Sequence, residues 1–166
     1  MIQVLREQGH HRIIYYMDEL HIRYYRSLQE QVARLMPDIN LYPVIVREPI
    51  YYMTDKLLDN LRLHIDKHHC TAACSPWMDW TQKLLSGCAQ LGIRVPKQLS
   101  IVSVEHRLGE GEAFYPKVSA FYVPTQAMGS AAAKLLLSRI DDDVVEQDSI
   151  EFETQYIKRD SIGRGE

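Results

Sequence analysis

The densest group of potential ligand side chains is His64, His68, His69 and Cys70, with Cys74 four residues further on. Imidazole and thiolate bind zinc and similar metals, and His64 and His68 are spaced to share a helix face. Cys70 and Cys74 fall in the following strand, which separates them from His64. The alternative is a helix that carries histidines near its C-terminus, where partial positive charge is favourable. The spacing matches no zinc motif, so no metal is expected. Acid–base chemistry has one candidate pair, Glu110 and Glu112, which flank Gly111 in a turn-rich stretch and read as solvated. The serines lack a nucleophile-elbow context, and no glycine loop follows a strand and opens a helix. No catalytic residue and no cofactor is expected.

Three residues fit ligand binding better. Trp77 stands where a strand of small residues, Cys70-Thr71-Ala72-Ala73-Cys74-Ser75, passes into a helix. An indole there stacks on a sugar or a planar ring, or else joins the core with Trp80. Arg26 lies in the first turns of a helix near the same edge. Its guanidinium holds a carboxylate, phosphate or diol, or is an exposed helix arginine like Arg23 and Arg34. Glu105 ends an apolar run, Leu99-Ser100-Ile101-Val102-Ser103-Val104. It is either at a ligand cleft or at a solvated loop start, because ligands of open α/β sheets sit outside the carboxyl ends of the strands.

The elements that must position these residues are legible in the periodicity. Residues 1–9 end a helix at Gly9. Arg12 to Met17 is a buried aromatic strand. Ile22, Tyr25, Leu28, Val32 and Leu35 repeat at helical spacing until Pro37. Ile39 to Val46 is a strand, and Pro49 opens a helix with Tyr52, Leu57, Leu58, Leu61 and Ile65 on its apolar face. Helix 77–91 carries Trp77, Trp80, Leu84, Cys88 and Leu91 as one stripe. Gly92 closes it, Pro96 blocks continuation, and residues 99–104 form a strand covered on both faces. Residues 106–117 read as a loop, 118–123 as a strand and 125–140 as a helix ended by Asp141-Asp142-Asp143. Residues 150–158 alternate at period two, as a strand with one wet face does. Strands alternating with helices predict right-handed crossovers and a three-layer α/β/α domain with a mainly parallel sheet.

Composition narrows the function classes. The chain has 166 residues, 46% apolar and 25% charged, with a net charge of −3. That balance suits one globular domain and argues against this chain itself gripping nucleic acid. No apolar stretch is long enough to span a bilayer, and residues 1–7 lack the order of a secretory signal. Three cysteines, Cys70, Cys74 and Cys88, are an odd number without a disulfide spacing, which predicts reduced thiols in a cytoplasm.

Four blocks in order resemble the LacI/GalR family of transcription regulators. Gln8-Gly9-His10-His11-Arg12-Ile13 resembles the family's L-G-H-x-x-I. Gly92-Ile93-Arg94-Val95-Pro96-Lys97-Gln98-Leu99-Ser100-Ile101-Val102 resembles G-x-x-V-P-x-D-L-S-I-V. The stretch from Tyr115-Pro116 through Val123-Pro124 to Met128-Gly129-Ser130-Ala131-Ala132 is similar to P-x-L-T-T-V…P…x-G-x-x-A. Gln155 to Ser161 resembles the closing L-x-x-R-x-S.

The resemblance implies one lobe of a periplasmic-binding-protein-like (type I) fold, without a DNA-binding head. It implies a second lobe over about 1–117 and 150–160, and a return segment to the first lobe over about 118–149. It further implies a cytoplasmic homodimer that binds a small effector and meets DNA only through the absent N-terminal domain. Arg26 aligns with an effector-contacting arginine when the preceding loop is shortened, and Gln29 replaces the glycine expected after it. Glu105 takes the place of a ligand-contacting aspartate. The family's Asn-Asp pair falls on Trp77-Met78, and Asp79 replaces its aspartate after a one-residue slip. Tryptophan and methionine offer no side-chain acceptor of the amide or carboxylate kind to a sugar hydroxyl. The implied effector is thus more aromatic, or the site is degenerate. A transport-type solute-binding protein and a metal-dependent enzyme on the histidine cluster are the alternatives.

Overall fold

The computed structural model describes residues 1–46, 55–140 and 149–165. Pro49, Tyr52 and Asp141-Asp142-Asp143 lie outside the described residues. The order is α1 (Ile2–Glu7), β1 (Arg12–Asp18), α2 (Ile22–Leu35), β2 (Asn40–Val46), α3 (Asp55–Asp66), β3 (Ala72–Ser75), α4 (Met78–Leu91), β4 (Ser100–Glu105), β5 (Ser119–Tyr122), α5 (Thr125–Ile140) and β6 (Gln155–Ile157). Short 3-10 turns at Glu19–His21 and Glu110–Ala113 follow β1 and β4.

The six strands form one sheet in the order β2-β1-β3-β4-β5-β6. All neighbours are parallel except β5 and β6. β2 is an edge strand, and its Pro43 stands opposite Tyr15 of β1. β6 is the other edge and is only three residues long. Its neighbours in the alternating stretch 150–158 leave the ladder.

Alternation along the central strands sorts the core into two layers, because successive side chains point to opposite faces. Ile14 and Tyr16 of β1, Ala73 of β3 and Ile101 of β4 pack with Leu57 and Leu61 of α3 and Trp80, Leu84 and Cys88 of α4. Ile13, Tyr15 and Met17 of β1, Ala72 and Cys74 of β3 and Val102 of β4 pack with Leu5 of α1 and Tyr25 and Val32 of α2. Both faces of β1, β3 and β4 are therefore covered, which gives the three-layer α/β/α arrangement. Gly92 adopts φ +70 as the C-cap of α4, the left-handed turn that glycine takes at little cost. Helix α5 packs differently from the others: none of its described residues is buried.

Candidate functional site at the carboxyl edge of the sheet

Strands β1, β3 and β4 end side by side. The strand order reverses direction between β1 and β3, and an open α/β sheet forms its crevice at such a switch point. Each strand end delivers one aromatic ring to this edge.

β1 ends in Asp18, whose Oδ1 accepts the backbone N–H of His21 at 3.1 Å and also meets the Nδ1 of that ring. This contact caps the 3-10 turn and aims His21. β3 ends in Ser75, whose hydroxyl donates to the Trp77 carbonyl at 3.0 Å. Trp77 stays extended (φ −136, ψ 142) as the residue before α4. Its side chain therefore leaves the helical stripe: Trp80, Leu84 and Cys88 are buried, but Trp77 is 38% exposed. The stripe expected from spacing holds only from Trp80 onward. β4 ends in Glu105, and His106 follows it. The indole of Trp77 lies 6.0 Å from the His21 ring and 5.6 Å from the His106 ring, centroid to centroid.

His106 is held by its backbone. Its N–H donates to Oε2 of Glu110 at 2.9 Å, and Glu110 also takes the Arg107 N–H and the Arg107 guanidinium. Burial pushes the Glu110 carboxyl up, but those hydrogen bonds outweigh it and leave the group below its ordinary range. Glu110 is thus an engaged turn residue rather than a solvated one. Meanwhile both ring nitrogens of His106 are shielded from solvent and have no hydrogen-bond partner among the described residues. Buried polar atoms are nearly always satisfied, so an unpaired imidazole beside an exposed indole marks a place where a partner fits.

Glu105 sits at the strand end, as the sequence predicts, but its side chain is fully buried. The Arg159 guanidinium faces it at 3.1 and 3.2 Å. The N–H groups of Gly109 and Gly111 donate to its two oxygens at 3.2 and 3.0 Å. The carboxylate therefore organises the 106–111 loop from within. Arg26 lies on α2 and is exposed, with no hydrogen bond or ion pair among the described residues. Asp79 is exposed in the first turn of α4. One turn on, burial lowers the Lys83 ammonium and Asp79 opposes that shift. The structure thus brings Trp77 together with His21 and His106, neither of which was singled out from sequence. Their signal was position alone, one immediately after Glu105 and one between a strand and a helix.

The histidine cluster assembles as rings. His64 donates from Nδ1 to the Asn60 carbonyl, and Tyr42 stacks on His68 at 4.8 Å. Cys70 and Cys74 lie in opposite core layers. Among the described residues no three His, Cys, Asp or Glu side chains are grouped to hold a metal. No helix of the described residues is long and apolar enough to cross a membrane.

Comparison with known proteins agrees with this architecture. The HTH-type transcriptional repressor PurR of Vibrio cholerae is 29% identical over 79 residues, 48% of this chain and 23% of that protein. PurR of Klebsiella pneumoniae is 29% identical over 76 residues. Among solved structures, a LacI family transcriptional regulator from Bifidobacterium animalis subsp. lactis superposes with a TM-score of 0.83 at 20% identity, over 100% of this chain and 60% of that one. A periplasmic binding protein/LacI transcriptional regulator from Alkaliphilus metalliredigens, complexed with D-xylulofuranose, gives 0.73 at 18% identity, over 96% and 60%. The chain thus spans about 60% of these solved chains and under a quarter of the curated relatives it matches. The periplasmic binding protein-like domain matches residues 2–162. The chain belongs to that family.

Proposed function

We propose that this chain is the effector-sensing part of a cytoplasmic, homodimeric transcription regulator, and that it works by binding rather than by catalysis. A small effector with a flat, partly aromatic face lies against Trp77, between His21 and His106. Arg26 and Asp79 supply polar contacts from the first turns of α2 and α4. Glu105 acts from behind, by holding the loop that carries His106. The observation that carries this reading is the exposed indole flanked by an imidazole with two buried, unpaired nitrogens. Each ring nitrogen offers one donor or acceptor, which suits a heterocycle with alternating donors and acceptors.

In this reading residues about 1–117 and 150–160 are the second lobe, and about 118–149 are the return segment to the first lobe. The unburied α5 supports that division, since Leu136, Leu137 and Ile140 are exposed on it. Effector binding closes the lobes and shifts the population of DNA-competent dimers.

The test is calorimetry of the full-length regulator against nucleobases, nucleosides and sugars. Trp77→Ala is expected to weaken a true effector at least about tenfold, with Trp77→Phe intermediate, since stacking contributes on the order of 1 kcal/mol or more. Unchanged affinity in both Trp77→Ala and His106→Ala overturns the reading.

A further inference from the structure

At the opposite, amino-terminal edge of the sheet lies a hollow of about 550 Å³. Arg12 from the start of β1, Arg94 and Lys97 from the α4–β4 connection, and Arg164 from the C-terminal segment all line it, with His69 and Thr71 between them. Among the described residues no carboxylate lines it. In a chain of net charge −3, this is a concentration of positive charge drawn from three distant stretches. Converging like charges repel one another, and a concave wall focuses their field on an anion.

Two of the cations are fixed in place. The Arg12 Nε donates to the His69 carbonyl at 2.9 Å, and the Arg94 Nε donates to Gln98 Oε1 at 3.1 Å. Each bond uses only the Nε–H and leaves the two terminal nitrogens of the guanidinium for a ligand. None of the four cations is paired with a carboxylate among the described residues. The His69 carbonyl is presented by a strained backbone, with φ +51 in a residue other than glycine. Such strain persists where surrounding structure over-determines it, and it clusters at binding sites. The floor is polar as well: His10 Nδ1 meets the Thr71 hydroxyl at 2.8 Å, and His10 Nε2 meets the Gly163 carbonyl.

We propose that this hollow binds a multiply charged phosphate compound, held by the guanidinium forks of Arg12, Arg94 and Arg164. Guanidinium matches phosphate oxygens two at a time, and several cations converging on one hollow suit a multiply charged anion over a single carboxylate. The hollow exceeds one phosphate and falls within the usual size of small-molecule sites, so the ligand is a pyrophosphate or a phosphorylated small molecule. It is independent of the Trp77 site, which lies at the other end of the strands. A ligand bridging Arg164 to Arg12 and Arg94 also ties the C-terminal segment to β1 and β4, and so stabilises the fold.

The experiment is calorimetry of the chain with inorganic pyrophosphate at low and raised salt, with thermal unfolding alongside. Saturable binding is expected, weakened at least tenfold in Arg94→Ala/Arg164→Ala and weakened by salt, together with a rise in unfolding temperature. The three arginines are exposed, so circular dichroism of the variants should match the parent. Absence of saturable binding at millimolar pyrophosphate overturns the proposal. So does an equal loss in Arg26→Ala, which would put the anion at the carboxyl edge. Binding of a short DNA duplex that pyrophosphate does not displace would likewise overturn it, since the surface would then be one for nucleic acid.

Discussion

The carboxylate of Glu105 and the guanidinium of Arg159, 54 residues apart in sequence, meet inside the protein with 0% and 6% of their side chains exposed. Arg159 also donates to the Val118 carbonyl at 2.6 Å, and so ties the end of β4, the entry to β5 and the C-terminal segment together. Breaking one partner of such a pair leaves an uncompensated buried charge. Arg159→Ala is expected to cost about 3–5 kcal/mol in denaturant unfolding. Glu105→Gln is expected to cost less, because its amide oxygen still accepts from one of the two glycine N–H groups. Equal, small losses in both variants would show that the pair is hydrated.

Gly111 is required by the same contact. A Cβ there would run into the Val118 carbonyl oxygen and the Arg159 Nη1. Gly111→Ala is expected to destabilise by about 1–3 kcal/mol through overpacking. The loss should be smaller in an Arg159→Ala background, which frees half the space. A double-mutant cycle measures that coupling, and strict additivity would refute the shared origin.

His10 makes stability depend on pH. It is 2% exposed, and burial lowers its imidazole from its ordinary value, against a raising contact from Gly163. Below about pH 6.5 the unfolded chain takes a proton that the folded chain resists. The contribution is complete above that pH and is lost as pH falls towards the folded value. The expected slope is at most about 1.4 kcal/mol per pH unit. Urea unfolding between about pH 5 and pH 7 checks this, and His10→Gln should flatten that part of the curve.

The three thiols are predicted to be inert. Burial pushes Cys70, Cys74 and Cys88 up to about 12. A thiolate is the reacting species, so iodoacetamide at pH 8 should label the native protein slowly and the urea-denatured protein fully. Rapid labelling of any one in the native state would contradict the burial.

The sequence exposes the repeating parts of the fold because burial leaves a period in it. The Ile13/Ile14 and Tyr15/Tyr16 pairs on β1 serve two layers at once, and a continuous apolar run signals that. The stripe of α4 was legible from Trp80 to Cys88. It misled at Trp77, because a residue just before a helix obeys strand geometry rather than helical spacing. The site was less legible for the same reason. His21 and His106 come together only through the strand order, which brings β1, β3 and β4 adjacent. Nothing in the one-dimensional pattern couples Glu105 to Arg159, because their meeting depends on β6 returning beside β5.

The proline in β2 carries a last consequence. A sheet with bare flanks recruits strands from other molecules, and long flat flanks seed aggregates. Here one flank is interrupted at Pro43, which has no N–H to offer an incoming chain, and the other is closed by a strand of three residues. Intermolecular strand addition has little to grip on either side. Copies of this chain that associate must therefore recognise one another through side chains, which sequence can make specific.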